Sequence, residues 1–122
     1  METEAGRELD ARIAEAVFGY TLDYEFADLH VPPAPHVKEL RDQYDEWGVL
    51  PHYSSDIAAA WLVVEALRAR GIWLEELSGR YEESYRAGFS WRDPARGMLY
   101  RQAMAATAPL AICRAALEAL GS

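Results

Sequence analysis

At 122 residues the chain is long enough to bury one hydrophobic core and too short for two, so a single domain over residues 1–122 is expected. A hydrophobic fraction of 51% with four Trp excludes a disordered chain, and the longest apolar run, residues 57–64, falls far short of a membrane span. The net charge of −8 speaks against a nucleic-acid polymer as partner, because phosphate backbones are held by clustered Lys and Arg. The charge is uneven, however. Residues 1–67 hold 14 acidic and 4 basic side chains, a balance of −10, whereas residues 68–122 hold 6 and 8, a balance of +2. Eleven of the twelve basic residues are Arg, whose planar fork suits phosphate, carboxylate and ring faces. The first residues are acidic and lack the apolar stretch of an export signal, so a cytoplasmic location is expected.

Residues 3–18 place Leu9, Ile13, Ala16 and Val17 at helical spacing, and Gly19 stands where a helix C-cap would be. Residues 20–26 then alternate Tyr20, Leu22, Tyr24 and Phe26 on one face, as a half-buried strand does. Residues 30–52 form an irregular, proline-containing connection, with a short helical turn expected within residues 37–47. A second helix starts near Ser54, Ser55 or Asp56 and is expected to bury Ile57, Ala60, Trp61, Val64 and Leu67. It closes with Arg68, Arg70 and Gly71, which suit the helix dipole and a left-handed cap.

Residues 72–77 read as a strand, and residues 81–91 as a longer one with Tyr85, Ala87, Phe89 and Trp91 on one face and Arg86, Gly88 and Ser90 on the other. A turn over residues 93–97 leads into a returning strand over residues 98–105, completing an antiparallel hairpin. The last helix opens at Thr107 with Pro109 in its first turn and carries Leu110, Cys113, Leu117 and Leu120 on one stripe. Cys113 has no partner for an internal disulfide and reads as a small core side chain. This order predicts an α+β fold, an antiparallel sheet layered with helices.

Chemistry is sparse. His30, His36 and His52 have no metal-ligand spacing, no Gly-rich phosphate loop is present, and helix capping accounts for Ser54 and Ser55 without catalysis. No cofactor and no enzymatic activity are therefore expected. A ligand site is more promising. The start of the second helix offers Tyr53 as a stacking ring and Ser54, Ser55 and Asp56 as polar groups, with Asp56 better suited to a ribose hydroxyl than to phosphate. The hairpin adds Arg86, Arg92, Arg96 and Arg101 beside Tyr85, Trp91 and Tyr100, residue types that grip phosphates and stack a base. The alternative use of that surface, with Phe89, Trp91, Met98 and Tyr100 as anchors, is protein binding. So many aromatic residues in a small domain also predict a homo-oligomer.

Three segments carry a resemblance: residues 13–20, ending in Phe18, Gly19 and Tyr20; residues 53–64, with Ser54, Ser55, Asp56, Ile57, three Ala and Trp61; and residues 107–117, beginning Thr107, Ala108, Pro109, Leu110. In that order they resemble the phage ABA sandwich family of small phage and prophage proteins. The resemblance implies an alpha-beta-alpha sandwich and a host bacterial cytoplasm as the setting. Small phage proteins of this kind often act against host defence. The expected function is therefore sequestration, without chemistry, of a nucleotide-derived immune signal such as a cyclic ADP-ribose-like species or a cyclic dinucleotide, in a pocket between protomers. The alternatives are direct inhibition of a host protein, or an oligomeric structural or accessory role.

Overall fold

The computed structural model describes residues 6–20, 22–23, 36–37, 48–81 and 84–121. Helix α1, Arg7–Phe18, ends at Gly19 in the left-handed conformation, where the Gly19 and Tyr20 N–H groups close onto Glu15 and Ala14 carbonyls. Three two-residue strands follow, β1 (Leu22–Asp23), β2 (His36–Val37) and β3 (Gly48–Val49), paired antiparallel in that order. Val37 is thus in a strand, and residues 38–47 of the expected helical turn lie outside the described residues. Of the strand expected over 20–26, residues 22–23 are observed, and 24–26 lie outside the described residues.

Helix α2 spans Ile57–Ala69. Asp56, rather than Ser54 or Ser55, is its cap, the carboxylate accepting from the Ala58 N–H at 3.0 Å. At the other end Gly71 adopts φ +81°, and the Gly71 and Ile72 N–H groups return to the Arg68 and Leu67 carbonyls, as a Schellman ending requires. The buried stripe is Ala59, Ala60, Val63, Val64 and Leu67. Ile57 and Trp61, expected in the core, are instead exposed. The helix is apolar nearly all round its first two turns, so spacing alone does not say which side faces inward.

Strands β4 (Trp73–Tyr81), β5 (Ser84–Asp93) and β6 (Gly97–Ala105) form an antiparallel sheet in chain order. The single strand expected over 81–91 is corrected here: Tyr81 belongs to β4 and pairs with Ser84 across the connection. Alternation runs unbroken through Tyr81 and Tyr85, and no Gly, Pro or Asn marks a turn between them.

Helix α3, Ala108–Leu120, is capped by Thr107, whose hydroxyl accepts from the Leu110 N–H at 3.4 Å. Most of its circumference is buried, through Pro109, Leu110, Ala111, Ile112, Cys113, Ala115, Ala116 and Ala119, with Arg114 and Glu118 on the remaining side. It packs on β5 and β6, and also against α1 and α2. Alanines at four of those positions let both layers approach it closely. Among the described residues the result is three helices and a three-stranded antiparallel sheet packed together, the α+β architecture expected. The core joins Leu9, Ile13 and Val17 of α1 to Phe89 and Ala87 of β5 through this helix. No described helix is long and apolar enough to cross a membrane.

Candidate functional site

Tyr53 and Ser54 are core residues. Tyr53 is 1% exposed, its ring stacked 5.2 Å from Phe18, which in turn stacks on Tyr20, and its carbonyl accepts from the Cys113 thiol at 3.2 Å. Burial, reinforced by the neighbouring Tyr20 and Asp10, pushes the Tyr53 phenol well above its ordinary range. Ser54 is fully buried and bound to Asp10 of α1, itself 1% exposed. One carboxylate oxygen, Oδ1, accepts from both the Ser54 backbone N–H (2.8 Å) and its hydroxyl (2.6 Å), and Oδ2 accepts from Arg7 Nη1 (2.8 Å). Arg7 continues to the carbonyls of Leu50 and Pro51, and the Gly6 N–H donates to the Ser54 hydroxyl at 3.0 Å. This clasp ties the start of α1 to the turn that launches α2. Tyr53 and Ser54, expected at the edge of a ligand pocket, are thus placed in the interior, Tyr53 in the ring stack and Ser54 in the clasp. Ser55 and Asp56 remain at the surface, with Asp56 occupied as a cap.

The hairpin residues divide between two faces. With Phe89 opposite Arg101 and Ser90 opposite Tyr100, strand parity sends Tyr85, Trp91 and Arg101 to the helix side and Arg86, Arg92 and Tyr100 to the outer side. Trp91 is partly buried against the core, and the Tyr85 ring covers Gly79, where an added Cβ would lie 2.7 Å from Tyr85 Cε1. Arg101 turns to the sheet edge and donates to the Tyr100 carbonyl at 2.9 Å, while Arg114 donates to the Met104 carbonyl at 2.9 Å. These two guanidinium groups cover backbone acceptors of β6, an edge strand. Arg96 sits in the turn with its side chain 3.4 Å from Asp93, whose carboxyl is held below its usual range chiefly by the Ala95 and Arg96 N–H groups. The seven hairpin residues thus do not line one wall within a single copy.

The outer face is the place where candidate binding groups do converge. Tyr100 reaches across β5 above Gly88 and donates to Glu76 Oε2 at 3.0 Å. A Cβ at Gly88 would run into the phenol, with Cε2 only 2.8 Å away, so the glycine is what lets the ring lie flat on the sheet. Partial burial and this hydrogen bond to Glu76 raise the Tyr100 phenol above its ordinary value. Arg86 faces Glu76 at 3.9 Å, a loose exposed pair. Ser90 donates to Glu75 at 2.6 Å. Around this polar centre lie Arg92, Gln102, Trp73, Met98 and Met104, most of them exposed. Arg86, Arg92 and Tyr100 were legible in the sequence. Glu75, Glu76, Gln102 and Trp73 were not, although an interior strand glycine such as Gly88 signals a close approach that points to them.

The architecture and the sequence agree with one family. The family model of the phage ABA sandwich domain matches residues 11–117, and the chain belongs to that family. Comparison with curated proteins and with solved structures returned no match.

Proposed function

We propose that this phage ABA sandwich protein is an anti-defence binding protein that sequesters a nucleotide-derived immune signal, cyclic ADP-ribose-like or a cyclic dinucleotide, without transforming it, and works as a homo-oligomer. The observation that carries the reading is the outer sheet face. Arg86 and Arg92 offer guanidinium groups for phosphate, Tyr100 and Trp73 offer rings for a base, and Glu75, Glu76 and Gln102 offer acceptors for ribose hydroxyls. The loose Arg86 to Glu76 pair costs little to open. Binding without chemistry is favoured because the buried hydroxyl and thiol groups among the described residues are already engaged, Ser54 with Asp10, Ser90 with Glu75 and Cys113 with the Tyr53 carbonyl.

The test is to incubate the purified protein with a panel of cyclic ADP-ribose isomers and cyclic dinucleotides, separate bound from free, denature, and analyse what is released. Intact signal recovered after heating is the expected result; an altered product indicates an enzyme. No depletion of any signal removes the ligand reading. Direct binding of a host protein is the second reading, favoured by Met98 at 65% and Met104 at 51% exposure, flexible apolar side chains of the kind adaptable protein interfaces use.

A further inference from the structure

The exposed side of α2 is a second surface, separate from the outer sheet face. Around the helix, Ile57, Ala58, Trp61 and Leu62 fall on the side opposite the buried stripe, and the three large ones are 49%, 46% and 52% exposed. Toward the C-terminal end this same side carries Glu65 and Arg68, and the Arg68 guanidinium lies 5.3 Å from the ring centroid of the exposed Trp73. A surface helix normally turns a polar side outward, and here the first two turns are apolar on the outer side as well as the inner.

We infer that this face of α2 is the contact between copies of the chain, two α2 helices crossing antiparallel about a two-fold axis that passes between Ala58 and Trp61. The inference names the surface that would assemble the homo-oligomer proposed above, and it rests on that reading for self-association and not for the ligand.

Three observations select a second copy as the occupant. First, the patch is self-complementary under a two-fold. Antiparallel crossing sets the large Trp61 ring of one copy over the small Ala58 of the other, twice, and Ile57 against Leu62, twice. Second, the centre of the patch is uncharged within a chain of net charge −8: between Ile57 and Ala69 the charged side chains are Glu65 and Arg68, with the Asp56 cap at the N-terminal edge, so two like-charged copies meet where repulsion is least. Third, the size fits. The three half-exposed side chains present about 300 Å² of apolar surface, at the scale of the largest patch on a monomer. Ala58 and the Glu65 and Arg68 stems bring the contact to about 500 Å² per copy, at the lower end of specific interfaces. Glu65 and Arg68 then form the polar rim. The outer sheet face, with Glu75, Glu76, Arg86 and Arg92, has no such uncharged centre.

The test is analytical ultracentrifugation of the full chain over roughly 1–200 μM, an interval chosen for the weak affinity such areas give, with Trp61→Glu, Leu62→Glu and, on the outer sheet face, Met98→Glu. The wild type is expected to show concentration-dependent mass above the 13.7 kDa monomer, more so at 0.5 M salt, where screening relieves like-charge repulsion. Trp61→Glu and Leu62→Glu are expected to sediment as monomers with unchanged far-UV circular dichroism, since neither side chain belongs to the core, and Met98→Glu as the wild type. A wild type that stays monomeric throughout overturns self-association itself. An oligomeric wild type with oligomeric Trp61→Glu overturns only this surface, and dissociation by Met98→Glu alone moves the interface to the sheet.

Discussion

Replacing Asp10 with Ala removes the one carboxylate that binds α1 to the start of α2. The Ser54 N–H loses its acceptor in a fully buried place, the Ser54 hydroxyl keeps only the Gly6 carbonyl at 3.3 Å, and Arg7 loses its counter-charge while keeping the Leu50 and Pro51 carbonyls. A buried donor left unpaired costs about 1–3 kcal/mol, and breaking a buried ion pair from one side costs about 3–5 kcal/mol. Because Arg7 is partly solvated, the lower part of that range applies, and a loss of about 3–4 kcal/mol is expected. Against a typical domain stability of about 5–15 kcal/mol, this is a large fraction. Ser54→Ala removes one donor and leaves the Gly6 N–H without its partner, for about 1–2 kcal/mol. The double variant is expected to lose less than the sum, because both changes break the same bond. Urea unfolding followed by Trp fluorescence measures all three. An Asp10→Ala variant within about 1 kcal/mol of the wild type, at unchanged urea dependence, would refute the clasp.

Three further outcomes follow from the same geometry. Gly88→Ala is expected to displace the Tyr100 ring, cost about 1–2 kcal/mol, and return the Tyr100 phenol toward its ordinary titration range, read by ultraviolet absorbance; a neutral or stabilising effect contradicts the packing over Gly88. Burial, aided by the Asp10 charge, pushes the Cys113 thiol up from 9.0 to about 12, so the folded state favours the neutral thiol. Its contribution to stability is complete below pH about 9, declines as pH rises toward about 12, and falls by about 1.4 kcal/mol per pH unit between them. The melting temperature should therefore drop above pH 9, less steeply in Cys113→Ala, and a flat profile to pH 11 contradicts it. Arg86→Ala with Arg92→Ala is expected to weaken capture of a cyclic nucleotide signal at least tenfold by calorimetry, leaving the melting temperature within a few degrees because both side chains are exposed; unchanged affinity removes the outer face as the site.

Much of the fold was legible because local signals agreed with the tertiary outcome. Gly19, Gly71 and Thr107 end or begin helices where residue chemistry says they should, and the parity of β5 and β6 is written in the sequence. Two things were hidden. The Tyr81 to Ser84 connection has no turn residue, so alternation passes through it, and α2 is apolar on both sides, so its inward face depends on what packs there. The site was legible residue by residue and not as a group. Parity separates Arg86 and Tyr100 from Trp91 and Arg101, and the register shift between Leu74 and Glu76 decides which carboxylates Tyr100 and Ser90 meet. Ser54 looks like a helix cap in sequence because its true partner, Asp10, is 44 positions away.

The position of α3 has a consequence for how the domain is made. It follows α1, α2 and the β4–β6 sheet in chain order, and all three pack on it. A ribosome therefore releases α1, α2 and the sheet before the piece that joins them exists, and Leu9, Val63 and Phe89 have no common floor until residues 108–120 emerge. Folding should be nearly all-or-none and should wait for residues 108–120. A chain stopped before Thr107 would display the sticky inner surfaces of both layers and be a substrate for chaperones and proteases rather than a smaller folded protein.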